Sequence, residues 1–380
     1  MTIDSHNLGD TVTDQQTVVK SGKLGTADRF LPVWILLAMG LGLLLAVIAP
    51  GLVVALQAFT IGTVSVPIAV GLLVMMYPVL AKVRYSDAAA VAGDKRLLIA
   101  SLVMNWIVGP ALMFTLAWVL LPDLPEYRTG LIIVGLARCI AMVLIWNDLA
   151  CGDREAATFL VALNSVFQVL AFAALGWFYL QVLPGWLGLA TTSAGFSIWA
   201  ITLSVLIFLG VPLVAGYLSR RIGERTKGRT WYESTFLPKV GPFALRGLLF
   251  TIVMLFALQG NQVIAHPFDV ARIALPLLVY FAVTFIVGFL LGKAIRLTYA
   301  KTVTLAFTAA GNNFELAIAV AIGTFGAASG QALAGIVGPL IEVPVLVGLV
   351  YVSLWLRGRL FKPAHDSDSS VPQLPASSRA

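Results

Sequence analysis

One stretch constrains this chain more than any other: Leu131 to Asp153, LIIVGLARCIAMVLIWNDLACGD. It is apolar and long enough to cross a bilayer, which takes about 20 such residues, yet it carries Arg138 and Cys139 near its middle and Asn147-Asp148 near its end. A charge at bilayer depth costs roughly 2.5–3.5 kcal/mol on insertion scales, so an arginine here marks a functional site rather than a plain anchor. A partner stretch, TAAGNNFELAIAV from Thr308 to Val320, is interrupted by Gly311, Asn312, Asn313 and Glu315. Two interrupted apolar spans in matching places point to the binding site of a transporter.

With 59% hydrophobic and 11% charged residues, the chain reads as an all-α polytopic membrane protein. Uncharged intervals count its spans. Two fit between Arg29 and Lys82, turning at Ala49-Pro50-Gly51, and a third between Arg96 and Asp123. The fourth runs from Thr129 to Leu149, and two more lie between Glu155 and Arg220, turning near Leu183-Pro184-Gly185. The seventh covers Val240 to Gln259, the eighth Ile273 to Leu291, and the last two share Lys301 to Arg357, divided at residues 326–330. That makes ten spans. With the amino terminus in the cytoplasm, the inside segments gather Lys82, Lys95, Arg96, Arg220, Arg221, Lys293, Arg296 and Arg357 among others, and the outer loops hold only Arg128 and Arg272. This is the positive-inside pattern, so both termini are expected in the cytoplasm and the net charge of +7 reports orientation, not nucleic-acid binding.

Residues 1–28 lack the apolar core of a signal peptide, and residues 362–380 are rich in Ser, Pro and Asp. Both read as cytoplasmic tails of a bacterial inner-membrane protein. Between them lie two five-span repeats, 29–180 and 181–361, each with its interrupted helix in fourth place. An odd number of spans per repeat inserts the two halves in opposite orientation.

The runs VGLLVMMYPVLAKV (70–83), SLVMNWIVGPALMF (101–114), GLARCIAMVLIWNDLACGD (135–153), TAAGNNFELAIAVAIGTFG (308–326) and VGPLIEVPVLVGLVYVSL (337–354) resemble the arsenical-resistance arsenite efflux permeases. These are a branch of the bile acid/sodium symporter superfamily, and the resemblance extends from Phe30 to Phe361. It implies ten helices in two inverted five-helix repeats, with discontinuous helices four and nine crossing. It further implies export of trivalent arsenic, as arsenite, in exchange for protons, conferring arsenic resistance. Cys139 and Glu315 would be the essential pair. The implied partners are arsenite, protons and the bilayer, with antimonite an extension the residues leave open and no cofactor.

The residue chemistry agrees with that reading. Trivalent arsenic is soft and prefers thiolate ligands, and one thiol holds such an ion without sequestering it. Arg138 beside Cys139 is expected to raise the thiolate fraction; the plainer reading of Cys139 is a small apolar residue packed in a helix. Asn312-Asn313-Phe314-Glu315 has the form of a capping box, with Asn312 capping the resumed helix and Glu315 reaching back to it. Glu342, in the Ile341-Glu342-Val343-Pro344 kink, is a second candidate for proton coupling beside Glu315, or else a structural partner of Arg138 or Arg246. Arg246 is otherwise a snorkelling residue. His6, His266 and His365 fall in tails or an outer loop, so protons must pass through acids.

Asn105, Asn147, Asn164, Gln168 and Asn313 divide between interhelical bonding and cavity lining, and Asn147 and Asn313 are expected on the cavity because they flank the breaks. The candidate substrate site is thus Cys139, Arg138, Asn147 and Asn313, with Gly311 and Asn312 breaking the second helix. Cys139 would be the ligand of arsenic as substrate, not of a resident metal. Two cysteines twelve positions apart, Cys139 and Cys151, build no zinc or disulfide framework.

Two other classes compete: a sodium-coupled symporter of an organic anion, with Arg138 neutralising the substrate, and a membrane receptor without transport. A thiol at the site disfavours the first, and polar interruptions in two matching spans disfavour the second. No catalytic Ser/His/Asp set, zinc cluster or P-loop pattern suggests an enzyme or an ATP-driven pump.

Overall fold

The computed structural model describes residues 30–361 apart from 62–63, 84–93, 141, 192–196, 266 and 327–328. The two tails, with Lys20, Lys23, Arg29 and Lys362, lie outside the described residues, as do Arg84, His266 and Ala327-Ala328. In chain order the helices are α1 Leu31–Ile48, α2 Pro50–Ala58, α3 Val66–Ala81 and α4 Lys95–Leu120. Then come α5 Pro125–Leu136, α6 Val143–Leu149, α7 Arg154–Trp186, α8 Ile198–Lys227 and α9 Arg229–Asn261. The last are α10 Pro267–Ala294, α11 Tyr299–Ala310, α12 Phe314–Phe325 and α13 Gly330–Leu360.

Six of these, α4, α7, α8, α9, α10 and α13, are long and apolar enough to cross a membrane. Helices satisfy their own backbone polar groups, which hydrocarbon demands. One small departure from an all-helical chain is a hairpin of two-residue strands, Thr60–Ile61 and Val64–Ser65, that leads into α3. The outer surface carries large exposed apolar side chains such as Val119, Leu170 and Trp199, as lipid contact requires.

Proline shapes the long helices in a way the sequence reading misses. Four wide π turns, at Met104–Val108, Phe178–Val182, Leu206–Gly210 and Tyr232–Phe236, each end two residues before a proline: Pro110, Pro184, Pro212 and Pro238. Proline cannot donate to the carbonyl four residues back and its ring clashes with it, and one turn of i→i+5 bonding relieves both. Helix α7 runs through such a π turn and past Pro184 to Trp186, so the turn expected near Leu183-Pro184-Gly185 opens just beyond it, with Leu189 N bonded to Pro184 O.

Helix α9 also begins earlier than the expected Val240, because its polar first turns close over the end of α8. Buried Arg220 donates to Glu224 Oε1 at 2.6 Å and to the Lys82 carbonyl at 3.2 Å, lies 3.7 Å from Glu233, and stacks on Tyr232.

Packing separates two groups. In one, α8 and α9 lie against α3, and α9 also against α1. Small residues bring backbones together there: a Cβ at Gly216 or Gly247 would stand 2.8 Å from α3 backbone atoms. In the other, α10 packs on α4, α11 and α13, and α13 packs on α5 and α12. At one end of this group Arg272 forms an ion pair with Asp123, whose carboxyl it holds down at about 2.

The two interrupted helices share a register. Helices α5 and α11 each have 12 residues, and their first and last residues are 174 positions apart (299 less 125, 310 less 136). The same step carries Leu120, the end of α4, to Ala294, the end of α10.

Candidate transport site

Each broken helix leaves terminal carbonyls and amides without intrahelical partners. At the end of α5 two side chains answer the carbonyls: Asn312 Nδ2 donates to Val134 O at 2.6 Å, and Arg138 Nη2 donates to Gly135 O. The two breaks then pair directly. Arg138 and Asn312 form an antiparallel bridge, with Cys139 N donating to Gly311 O at 3.3 Å and Asn313 N to Ala137 O at 3.0 Å. Adding 174 to 137, 138 and 139 gives 311, 312 and 313, so each of these two bonds is the counterpart of the other. A bridge whose two residues are equivalent has a local two-fold axis at its centre.

Outer helices complete each break with matching residues. Gln168 of α7 accepts from Arg138 N and donates to Arg138 O, both at 3.0 Å. Glu342 of α13 accepts from Asn312 N at 3.2 Å. Each stands 30 positions after the residue it serves. The bond expected from Glu315 back to Asn312 is thus made by Glu342. The cap also moves by one residue: Asn313 Oδ1 accepts from Leu316 N at 3.1 Å, so Asn313, not Asn312, caps α12, and Glu315 stands in its first turn. The positive side chain of Arg138 at the C-terminal end of α5 opposes the local helix dipole.

Neighbours in sequence separate in space here. Extended backbone turns successive side chains to opposite sides. Arg138, fully buried, reaches Tyr280 OH of α10 at 2.7 Å. Cys139, 2% exposed, lies on Gly311, where an added Cβ would come within 3.0 Å of its Cβ and 3.4 Å of its Sγ. The Arg138 guanidinium, bonded to Tyr280 and Gly135, holds α5 and α10 together.

Glu342 forms no ion pair with Arg138 or Arg246 among the described residues, and Arg246 is exposed and stacks on Phe243 at 5.5 Å, in keeping with snorkelling. Glu315 and Glu342 instead share a small cavity of about 20 Å³ with Met142, Thr251, Ile318 and Pro339. That is room for a single water. It lies where α1 and α9 meet α12 and α13.

Cys139 and Asn313 are not among its lining residues. Neither is Asn147, whose Oδ1 accepts from Thr304 Oγ1 at 2.7 Å and ties α6 to α11. Tyr280 and Thr251 escape sequence reading altogether, since a lone hydroxyl in an apolar helix has no distinguishing signal. Among the described residues no three His, Cys, Asp or Glu side chains group as ligands for a metal.

Two broken helices crossed through their own backbones, with a buried arginine and a buried thiol at the crossing, define a multi-pass membrane transporter of the discontinuous-helix kind. Comparison with known proteins gives the family. The model of the "Sodium Bile acid symporter family" matches residues 69–266. A protein named "Arsenical-resistance protein Acr3" from Corynebacterium glutamicum is 60% identical over 96% of this chain and 97% of its own length. One of the same name from Alkaliphilus metalliredigens is 31% identical over 89% and 95%. A Synechocystis protein named "Uncharacterized transporter slr0944" is 35% identical over 89% and 91%. The chain belongs to the sodium/bile acid symporter family, in its arsenical-resistance branch, and is a transporter, not an enzyme.

Replacing Gln168 with Ala would leave buried Arg138 N and O without their partners, each a loss of about 1–3 kcal/mol. Thermal unfolding in detergent is expected to show Gln168→Ala destabilised by about 2 kcal/mol or more, with exposed Leu170→Ala close to the parent chain.

Proposed function

We propose that this chain exports trivalent arsenic, as arsenite, from the cytoplasm in exchange for protons, and so confers arsenic resistance. The observation that carries the reading is the position of Cys139: a buried thiol seated on Gly311 of the opposite break, where the two discontinuous helices cross. The names of two relatives support the substrate, and a lone soft sulfur suits an ion that must be released as well as bound. Asn313 shapes the site by fixing the start of α12, and Asn147 by holding α6 to α11. Arg138 acts as a fixed charge that orders the crossing. Antimonite would meet the same thiol.

The architecture proposed with it is ten spans in inverted repeats, 29–180 and 181–361, with cytoplasmic tails at both ends, in a bacterial inner membrane. The common step of 174 residues and the two-fold bridge at Arg138 and Asn312 support the inverted arrangement, and the distribution of basic residues supports the orientation.

Protons are assigned to Glu315 and Glu342, which share one cavity. Gln168 shows what a complete contact at a break looks like: one oxygen accepts from the amide and one nitrogen donates to the carbonyl. A carboxylate at the equivalent position only accepts, whereas a protonated carboxyl does both. Protonation of Glu342 would therefore tighten the second break and deprotonation loosen it, with Glu315 as the partner acid across the cavity.

In everted membrane vesicles energised by respiration, arsenite is expected to accumulate, a proton ionophore to abolish this, and removal of sodium to leave it unchanged. Cys139→Ala should cut the rate to background with normal expression, and Cys151→Ala should be nearly silent; a sodium requirement would favour the organic-anion symporter. Glu342→Gln mimics the protonated acid, so it should fold at least as stably as the parent and lose the dependence of transport on the pH gradient. Unchanged proton coupling in that variant would move the role to Glu315 alone.

A further inference from the structure

Away from the crossing, a second built feature lies between α4 and α10, and neither the fold nor the transport reading uses it. The two helices run side by side, and their two ends differ. At one end Arg272 of α10 forms an ion pair with Asp123, just past the end of α4, and Asp269 of α10 accepts from Tyr127 OH of α5. At the other end two open clefts of about 440 and 560 Å³ adjoin, and Arg96 and Arg296 line both.

The first cleft is basic. It holds Lys95, Arg96, Arg296 and Lys301 against the single carboxylate of Asp94, a surplus of three positive charges (four less one). Lys301 Nζ donates to Asp94 at 2.6 Å and holds its carboxyl below the usual range, so this pair neutralises itself. Lys95, Arg96 and Arg296 are left facing the cleft. Arg96 reaches over to the carbonyl of Ile295, the residue before Arg296, at 3.5 Å, and both arginines line the two clefts.

The second cleft is apolar and continues from the same two arginines. Ile99 and Val103 carry one face of α4 onward from Arg96, 60% and 37% exposed, and Leu291 and Ala294 line the facing side. Arg296 itself occupies a backbone position that favours glycine: its φ is +62°, just past the end of α10, where Leu297 N bonds back to Gly292 O at 2.9 Å. Helices ending in this motif usually carry glycine there. An arginine kept in a left-handed conformation that places its charge at the mouth of an apolar slot is a site for a ligand with a negative head and an apolar tail.

We propose that this groove binds one anionic phospholipid, with its phosphate between Arg96 and Arg296 and an acyl chain along Ile99, Val103 and Leu291. Basic pockets between membrane helices recognise such headgroups. The slot decides the source of the phosphate: a free anion would leave the exposed Ile99 face unused, whereas a lipid covers both parts at once. The arrangement does not depend on which solute the crossing carries.

The test uses the full chain in neutral detergent, mixed with equal amounts of phosphatidylglycerol and phosphatidylcholine and read by native mass spectrometry. Bound phosphatidylglycerol is expected to exceed phosphatidylcholine, with each arginine worth roughly 5-fold, and Arg96→Gln with Arg296→Gln should bring the two lipids to parity. Arg296→Gly keeps the folding argument separate. Glycine suits that backbone, so the melting temperature should hold or rise while the preference falls.

Ile99→Asn should reduce phosphatidylglycerol retention without touching a charge. Glycerol phosphate, a headgroup without chains, should fail to displace the lipid at equal concentration. Equal retention of both lipids by the parent chain, a preference that survives the double arginine replacement, or displacement by glycerol phosphate or inorganic phosphate would each overturn the proposal.

Discussion

Interrupting a helix inside a membrane exposes amides and carbonyls where no water can answer them, and the centre of this molecule is organised around that cost. The solution is reciprocal. Each break supplies the backbone partners of the other through the bridge between Arg138 and Asn312, and side chains from α7 and α13 complete the set. Because the paired residues are equivalent positions of two repeating segments, neither break can be satisfied alone. The fold therefore holds an irregular, polar crossing at its core without exposing it to lipid, and this crossing is where the buried thiol sits.

The near-symmetry also shows where the two halves differ. Equivalent positions hold Arg138 and Asn312, Cys139 and Asn313, Gln168 and Glu342. One half contributes a permanent charge, a soft sulfur and a neutral amide. The other contributes amides and an acid that can gain or lose a proton. The two breaks are thus alike in backbone and different in side-chain chemistry, with Arg138, Cys139 and Gln168 standing opposite Asn312, Asn313 and Glu342.

Much of this was legible in the sequence because charge and apolar length are strong signals in a membrane chain. The breaks at Arg138 and at Gly311-Asn312, the candidate acids and the placement of the long helices follow from them. What escaped depended on geometry that residue type does not encode. Arg138 and Cys139 are adjacent, yet extended backbone sends one to Tyr280 and lays the other on Gly311. The π turns before Pro110, Pro184, Pro212 and Pro238 have no mark of their own in the sequence beyond the prolines. The capping pattern at 312–315 is recognisable in the sequence, but the cap stands one residue later because Asn312 is taken up by Val134 and Glu342. Gln168 gave no hint that it would span both backbone groups of one residue 30 positions away.

A metalloid held by the thiol at the crossing would carry an arsenic–sulfur bond, which X-ray absorption at the arsenic edge reads directly. On the purified chain loaded with arsenite, one sulfur neighbour is expected in the parent and in Cys151→Ser, with an all-oxygen shell in Cys139→Ser. An all-oxygen shell in the parent, or a sulfur neighbour that persists in Cys139→Ser, would contradict binding at that thiol.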